Sequence, residues 1–116
     1  MAVEETEVGL VVEIPLAGLT DAAAGDPIGW RHGLEDRSET AIVALGAKWV
    51  GGGTMFGESL DFQISVPAGA LAAAYAQLGV FLAQDPSVPD GTVLRTYPYG
   101  ADDMVQVTIG ALRGRA

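Results

Sequence analysis

The stretch LDFQISVPAGALAAAYAQLGVFLA, residues 60–83, decides the fold. In its first part Phe62, Ile64 and Val66 alternate with Asp61, Gln63 and Ser65. A period of two with one apolar and one polar side marks a strand buried on one face only. Pro67 ends it, because proline cannot donate to a ladder. The period then changes. Leu71, Tyr75, Leu78 and Leu82 stand at i, i+4, i+7 and i+11, which predicts a helix over Ala68–Ala83 with a core-facing stripe. Asp85-Pro86 stops it. Phe62, Ile64, Val66, Leu71, Tyr75, Leu78 and Leu82 are therefore expected to form one core between a strand and the helix that follows it.

Downstream, Pro89-Asp90-Gly91 carries turn chemistry. A strand is predicted over Thr92–Tyr97, then a bend at Tyr97-Pro98-Tyr99-Gly100. A last strand is predicted over Met104–Leu112, with Val105, Val107 and Ile109 inward. Residues 1–6 and the tail Arg113–Ala116 are expected to fray.

Upstream, a turn near Gly57-Glu58 precedes the alternating strand, and Lys48–Thr54 reads as a strand holding Gly51-Gly52-Gly53. Asp26-Pro27 signals a helix start, with the carboxylate as cap and proline in the first turn. The helix is predicted over Pro27–Leu45, with Trp30, Leu34, Ala41 and Leu45 in a stripe that Ser38 interrupts. Arg31 and Glu35 are expected as an i,i+4 pair on its exposed side, and Gly46 as its stop. The competing assignment makes Thr40–Val50 a strand, on the strength of Ile42, Val43, Trp49 and Val50. Ala17–Gly25 reads as a loop with a short helical turn. Glu7–Leu16 reads as a strand with Val8, Leu10, Val12 and Ile14 on one face.

The resulting order is β-α-β-β-α-β-β in one α+β domain over residues 1–116. Its first six elements match the ferredoxin-like pattern, two helices on one face of an antiparallel sheet, with an extra C-terminal strand.

The 116 residues carry 15 acidic and six basic groups, a net charge of −9, and no cysteine. Disulfides and cysteine-ligated metal sites are excluded. A surface of that sign repels nucleic-acid phosphates and anionic lipids and attracts cationic partners. No apolar run reaches the roughly 18 residues of a membrane span, and the acidic start Glu4-Glu5-Thr6-Glu7 is unlike a secretory leader. A cytoplasmic setting is expected. The absence of asparagine and the wealth of Ala, Gly and Val suggest a GC-rich genome.

Gly51-Gly52-Gly53-Thr54 lacks the lysine of a phosphate loop and does not open a helix as a dinucleotide fingerprint would. It is expected to be a backbone device, such as a bulge, a bend or a close approach. His32, the only histidine, has acidic neighbours, but no nucleophile elbow accompanies it, and no catalytic role is expected. The carboxylates form no D-x-D-x-D-G loop, and neither metal nor cofactor is expected. Trp30, Trp49, Phe56, Tyr97 and Tyr99 are the aromatic contacts to watch.

Leu34-Glu35-Asp36, Gly51-Gly52-Gly53 and Asp61-Phe62-Gln63-Ile64 together resemble a pattern in small bacterial proteins, some of them immunity proteins that neutralise a co-produced toxin. The resemblance spans Gly33–Pro67, under a third of the chain. It departs from the pattern at Ala17–Asp26 and at the extra last strand. It implies a binder, not an enzyme. The expected function is a non-catalytic, acidic protein-binding domain that occludes a basic partner through Glu35, Asp36, Glu39, Asp102 and Asp103, with Tyr97 and Tyr99 as anchors. Two alternatives remain open: a homodimer-forming structural or regulatory domain that pairs through its last strand, and a small-ligand binder or small enzyme.

Overall fold

The computed structural model describes residues 7–55, 58–97 and 105–114. The described elements are β1 (Glu7–Pro15), α1 (Asp21–Gly25), α2 (Pro27–Ile42), β2 (Lys48–Met55), β3 (Ser59–Pro67), α3 (Leu71–Gln84), β4 (Val93–Tyr97), β5 (Gln106–Thr108) and α4 (Ile109–Leu112). Single 3₁₀ turns at Leu16–Gly18, Val43–Leu45 and Ala68–Ala70 link them.

The strands make one antiparallel, open five-stranded sheet in the order β2-β3-β1-β4-β5. β1 is central. It pairs with β3 from Glu7↔Pro67 to Pro15↔Ser59 and with β4 from Gly9↔Tyr97 to Glu13↔Val93. Each long helix joins strands that are not neighbours: α2 carries the chain from β1 across β3 to β2, and α3 carries it from β3 across β1 to β4.

Alternation decides which face is buried. Val8, Leu10, Val12 and Ile14 of β1, Leu60, Phe62, Ile64 and Val66 of β3, and Leu94 of β4 all point into the core. Leu34 and Ile42 of α2 and Ala74, Leu78 and Leu82 of α3 meet them there. The predicted seven-residue cluster is present, with Leu71 and Tyr75 half-buried at its margin. On the opposite face Val11, Glu13, Asp61, Gln63, Val93 and Arg95 are half-exposed.

The signals that bound α2 act as expected. The Asp26 carboxylate accepts from Gly29 N at 3.1 Å, and Pro27 opens the helix. Gly46 ends the following 3₁₀ turn at φ +87°, a left-handed conformation that favours glycine. The strand alternative for Thr40–Val50 is thereby set aside up to Ala47, since β2 begins at Lys48.

Three expectations are corrected. Of the expected stripe, Trp30, Leu34 and Leu45 pack against the core, whereas Ala41 is exposed and Arg31, Glu35, Ser38 and Ile42 are buried alongside Leu34. The supposed interruption, Ser38, is fully buried, and the supposed exposed pair, Arg31 and Glu35, lies inside. The last strand is three residues long and gives way to α4, because the Thr108 hydroxyl accepts from Ala111 N and starts a helical turn. Ile109 is buried as expected, but Val105 is exposed. Finally, Arg113 is not frayed, because its guanidinium is hydrogen-bonded to carbonyls at the end of α3 and to Asp90.

Candidate functional site

Arg31 and Glu35 are one helical turn apart on α2 and face the glycine triplet of β2. Arg31 Nε and Glu35 Oε1 stand 2.9 Å apart, with side chains only 8% and 4% exposed. Neither of these two atoms has a hydrogen-bond partner among the described residues, so they meet as charges without alignment. Arg31 Nη1 donates to Gly53 O at 2.8 Å. A Cβ on Gly52 would stand 2.6 Å from Glu35 Oε1 and 2.8 Å from Asp61 O, whereas a Cβ on Gly51 would meet nothing within 4 Å. The triplet is therefore a close-approach device. Its central glycine leaves room for a buried ion pair, and the register shift between Trp49 and Gly51 sets it in place. Positive φ is confined to Gly46 and Gly114 among the described glycines, so backbone strain is not the reason.

The acidic residues expected to meet a partner are thus divided. Glu35 is committed to Arg31. Glu39, half-buried, accepts from Trp49 N at 2.6 Å and covers a donor on edge strand β2. Asp36 is exposed. Tyr97 is the last residue of β4, opposite Gly9. Tyr99, Asp102, Asp103 and Phe56 lie outside the described residues. His32 is 59% exposed, and its Nδ1 is 4.0 Å from Glu35 Oε2. No group of three or more potential metal ligands occurs among the described residues, and no described helix is long and apolar enough to cross a membrane.

Two polar networks escaped the sequence reading. In one, Trp30 Nε1 donates to Ser87 Oγ at 3.1 Å, and that hydroxyl donates to Asp85 Oδ1 at 2.7 Å. Ser87 N adds a 2.9 Å bond to the same oxygen, and Arg37 Nη2 reaches Asp85 Oδ2 at 3.1 Å. Burial raises the Asp85 pKa, but the hydroxyl and amide of Ser87, followed by Arg37, outweigh it and hold the carboxyl below its ordinary value. In the other network, Arg113 donates to the carbonyls of Leu82, Ala83, Asp85 and Val88 and to Asp90 Oδ1 at 2.7 Å. It closes the C-terminal end of α3, where carbonyls lack helical partners. The only sequence signals were Asp85-Pro86 and a basic residue near the chain end, and neither specifies the pairing.

These contacts fix the electrostatics. Arg31, Arg37, Arg95 and Arg113 are all engaged by carboxylates of the same chain: Glu35, Asp85, Glu13 and Asp90. Asp21, Asp26, Asp36 and Glu58 remain exposed, with no ion pair to a base among the described residues. In comparisons with known proteins, no family model, no curated protein and no solved structure matches the chain.

Proposed function

We propose that the chain is a non-catalytic acidic protein-binding domain, of the immunity or inhibitor kind, that engages a basic partner in the cytoplasm. The observation that carries this reading is the fate of the arginines. All four that are described are turned onto the chain's own carboxylates and carbonyls, so exposed carboxylates set the outer field. A field of one sign accelerates encounter only with a partner of the opposite sign. Among the described residues Asp36 is the predicted acidic contact that stands in solvent, and Tyr97, Tyr99, Asp102 and Asp103 complete the proposed set. We read the scaffold as ferredoxin-like. The interleaved crossovers and the order β2-β3-β1-β4 support that reading, with β5 as an added edge.

The test is association kinetics, across a salt series, with the protein that this chain captures from its host. The partner should be basic, and the on-rate should fall as salt rises, because screening sets in at about 8 Å near 0.15 M. Asp36→Asn should slow association more than it speeds dissociation. An acidic partner or a salt-independent on-rate would overturn the proposal.

A further inference from the structure

The register fixes which backbone groups of β2 are free. Leu16 N donates to Glu58 O, which extends the β1–β3 ladder by one pair. In an antiparallel ladder successive residues turn their N–H and C=O to opposite sides. Phe62 and Ile64 therefore bond to β1, while Asp61 and Gln63 bond to β2 through Gly53 and Gly51. Gly52 is left with its N–H and C=O directed away from β3, on the side where β2 has no neighbouring strand. Trp49 is turned the same way, and its N–H is taken by Glu39. After Lys48 the strand carries no charged residue, unlike edge strands that resist pairing. On the face of the sheet away from the helices, the glycine triplet floors a groove of about 380 Å³, walled by Val11, Val50, Asp61 and Gln63. A Cβ on Gly53 would stand 3.4 Å from Asp61 Oδ1, and one on Gly51 would meet nothing within 4 Å. The half-buried Asp61 carboxylate has no ion pair to a base among the described residues.

We propose that the free edge of β2 and this groove together form a docking site for an extended, basic segment of another protein, which adds beside β2 as a further strand. The proposal rests on the reading above that the partner is basic, and it names the surface and the mode of binding. Main-chain pairing to Gly52 supplies affinity without regard to sequence. Charge supplies the selection. An added strand lies two strand spacings from β3, about 10 Å. With only glycine between them, a lysine or arginine stem can rest on the groove floor and bring its charge to Asp61. A shorter side chain falls short, and an acidic one is repelled by Asp61 and by the net charge of −9. A second copy of this chain brings the same negative field and is a poor occupant for that reason. Glu39 is released when an incoming carbonyl takes over the Trp49 N–H, and its carboxylate then faces the same basic segment.

The probe is a short peptide of alternating lysine and valine, followed by amide chemical shifts and calorimetry on the whole chain. It should bind saturably below millimolar concentration and shift the amides of Gly51, Gly52 and Gly53. Asp61→Asn, at a half-buried position, should weaken binding at least about tenfold with the thermal melt unchanged. Gly51→Val fills the groove where the space is open, and should weaken binding likewise. The same peptide N-methylated at its central residues should not bind, and neither should its glutamate counterpart. Absence of saturable binding, shifts confined to other elements, or equal affinity for Asp61→Asn would each overturn the proposal. So would equal binding of the N-methylated peptide, since the β2 edge would then be unused. The whole partner gives a separate answer. A captured basic protein that ignores both Asp61→Asn and Gly51→Val would overturn this site and leave the proposed function standing. An acidic partner would overturn the function, and the peptide would still decide the site.

Discussion

Glu35 Oε1 occupies the space that a side chain on Gly52 would need, 2.6 Å from where its Cβ would stand. A helix residue and an edge-strand residue 17 positions apart in sequence thus exclude each other's bulk. Gly52→Ala should therefore destabilise by about 1 to 3 kcal/mol, the usual range for overpacking, and Gly52→Val by more. Gly51→Ala, with open space around its Cβ, is the control and should stay within about 0.5 kcal/mol of wild type. Urea melts of the variants decide it. Equal losses at both positions would mean that the ion pair is not what requires glycine at position 52.

Removing one member of the pair should be worse than removing both. Glu35→Gln leaves the buried Arg31 guanidinium without its counter-charge, a loss of about 3 to 5 kcal/mol. Arg31→Met with Glu35→Leu restores an apolar interior and should recover most of that loss. A double variant as unstable as the single one would show that the Arg31–Gly53 bond dominates.

Leu78 is fully buried at the centre of the α3 stripe. Leu78→Ala should lower unfolding stability by about 2 to 5 kcal/mol. A loss under about 0.5 kcal/mol would contradict the burial of that stripe.

Asp85 has a pKa held below its ordinary 3.8 by Ser87 and Arg37. A carboxyl with a lowered folded-state pKa contributes stability that is present above the unfolded value and lost as pH falls through the folded one. Acid melts should therefore lose stability below about pH 4, and Asp85→Asn should flatten that limb. Trp30 fluorescence reports the same event, since its indole N–H is bonded to Ser87. An Asp85→Asn variant with an unchanged acid limb would remove this network from the account.

Arg113 gathers four carbonyls and a carboxylate. Arg113→Ala should lower stability by about 1.5 to 3 kcal/mol or more, as expected when charged hydrogen bonds are lost. Arg113→Lys should rescue little, because an ammonium cannot match the guanidinium fork. Hydrogen exchange should quicken at the C-terminal end of α3 in both variants.

Much of this was legible in the chain. Residues 60–83 announce their strand and helix because period and polarity change together at Pro67. The start of α2 and the end of the 3₁₀ turn that continues it follow from Asp26-Pro27 and Gly46, whose effects are local and steric. Of the expected partner contacts, Asp36 is where a solvated residue should be, whereas Glu35 is not. Periodicity treats an i,i+4 Arg–Glu pair as solvent-facing, and only the sheet beneath α2 makes it interior. Whether a charge can be buried depends on what lies opposite it, here a glycine on a strand that pairs with β3 and not with its sequence neighbour on the other side of α2. Arg113 was assigned to a frayed end because the carbonyls it serves lie at and just beyond another helix's terminus, 25 to 31 residues away. The sequence by itself determined the elements through β4, their order and the net charge, since these follow from neighbours along the chain. Which charges are spent inside and which face solvent was decided by the tertiary structure alone, because burial and pairing arise between segments that sequence distance does not relate.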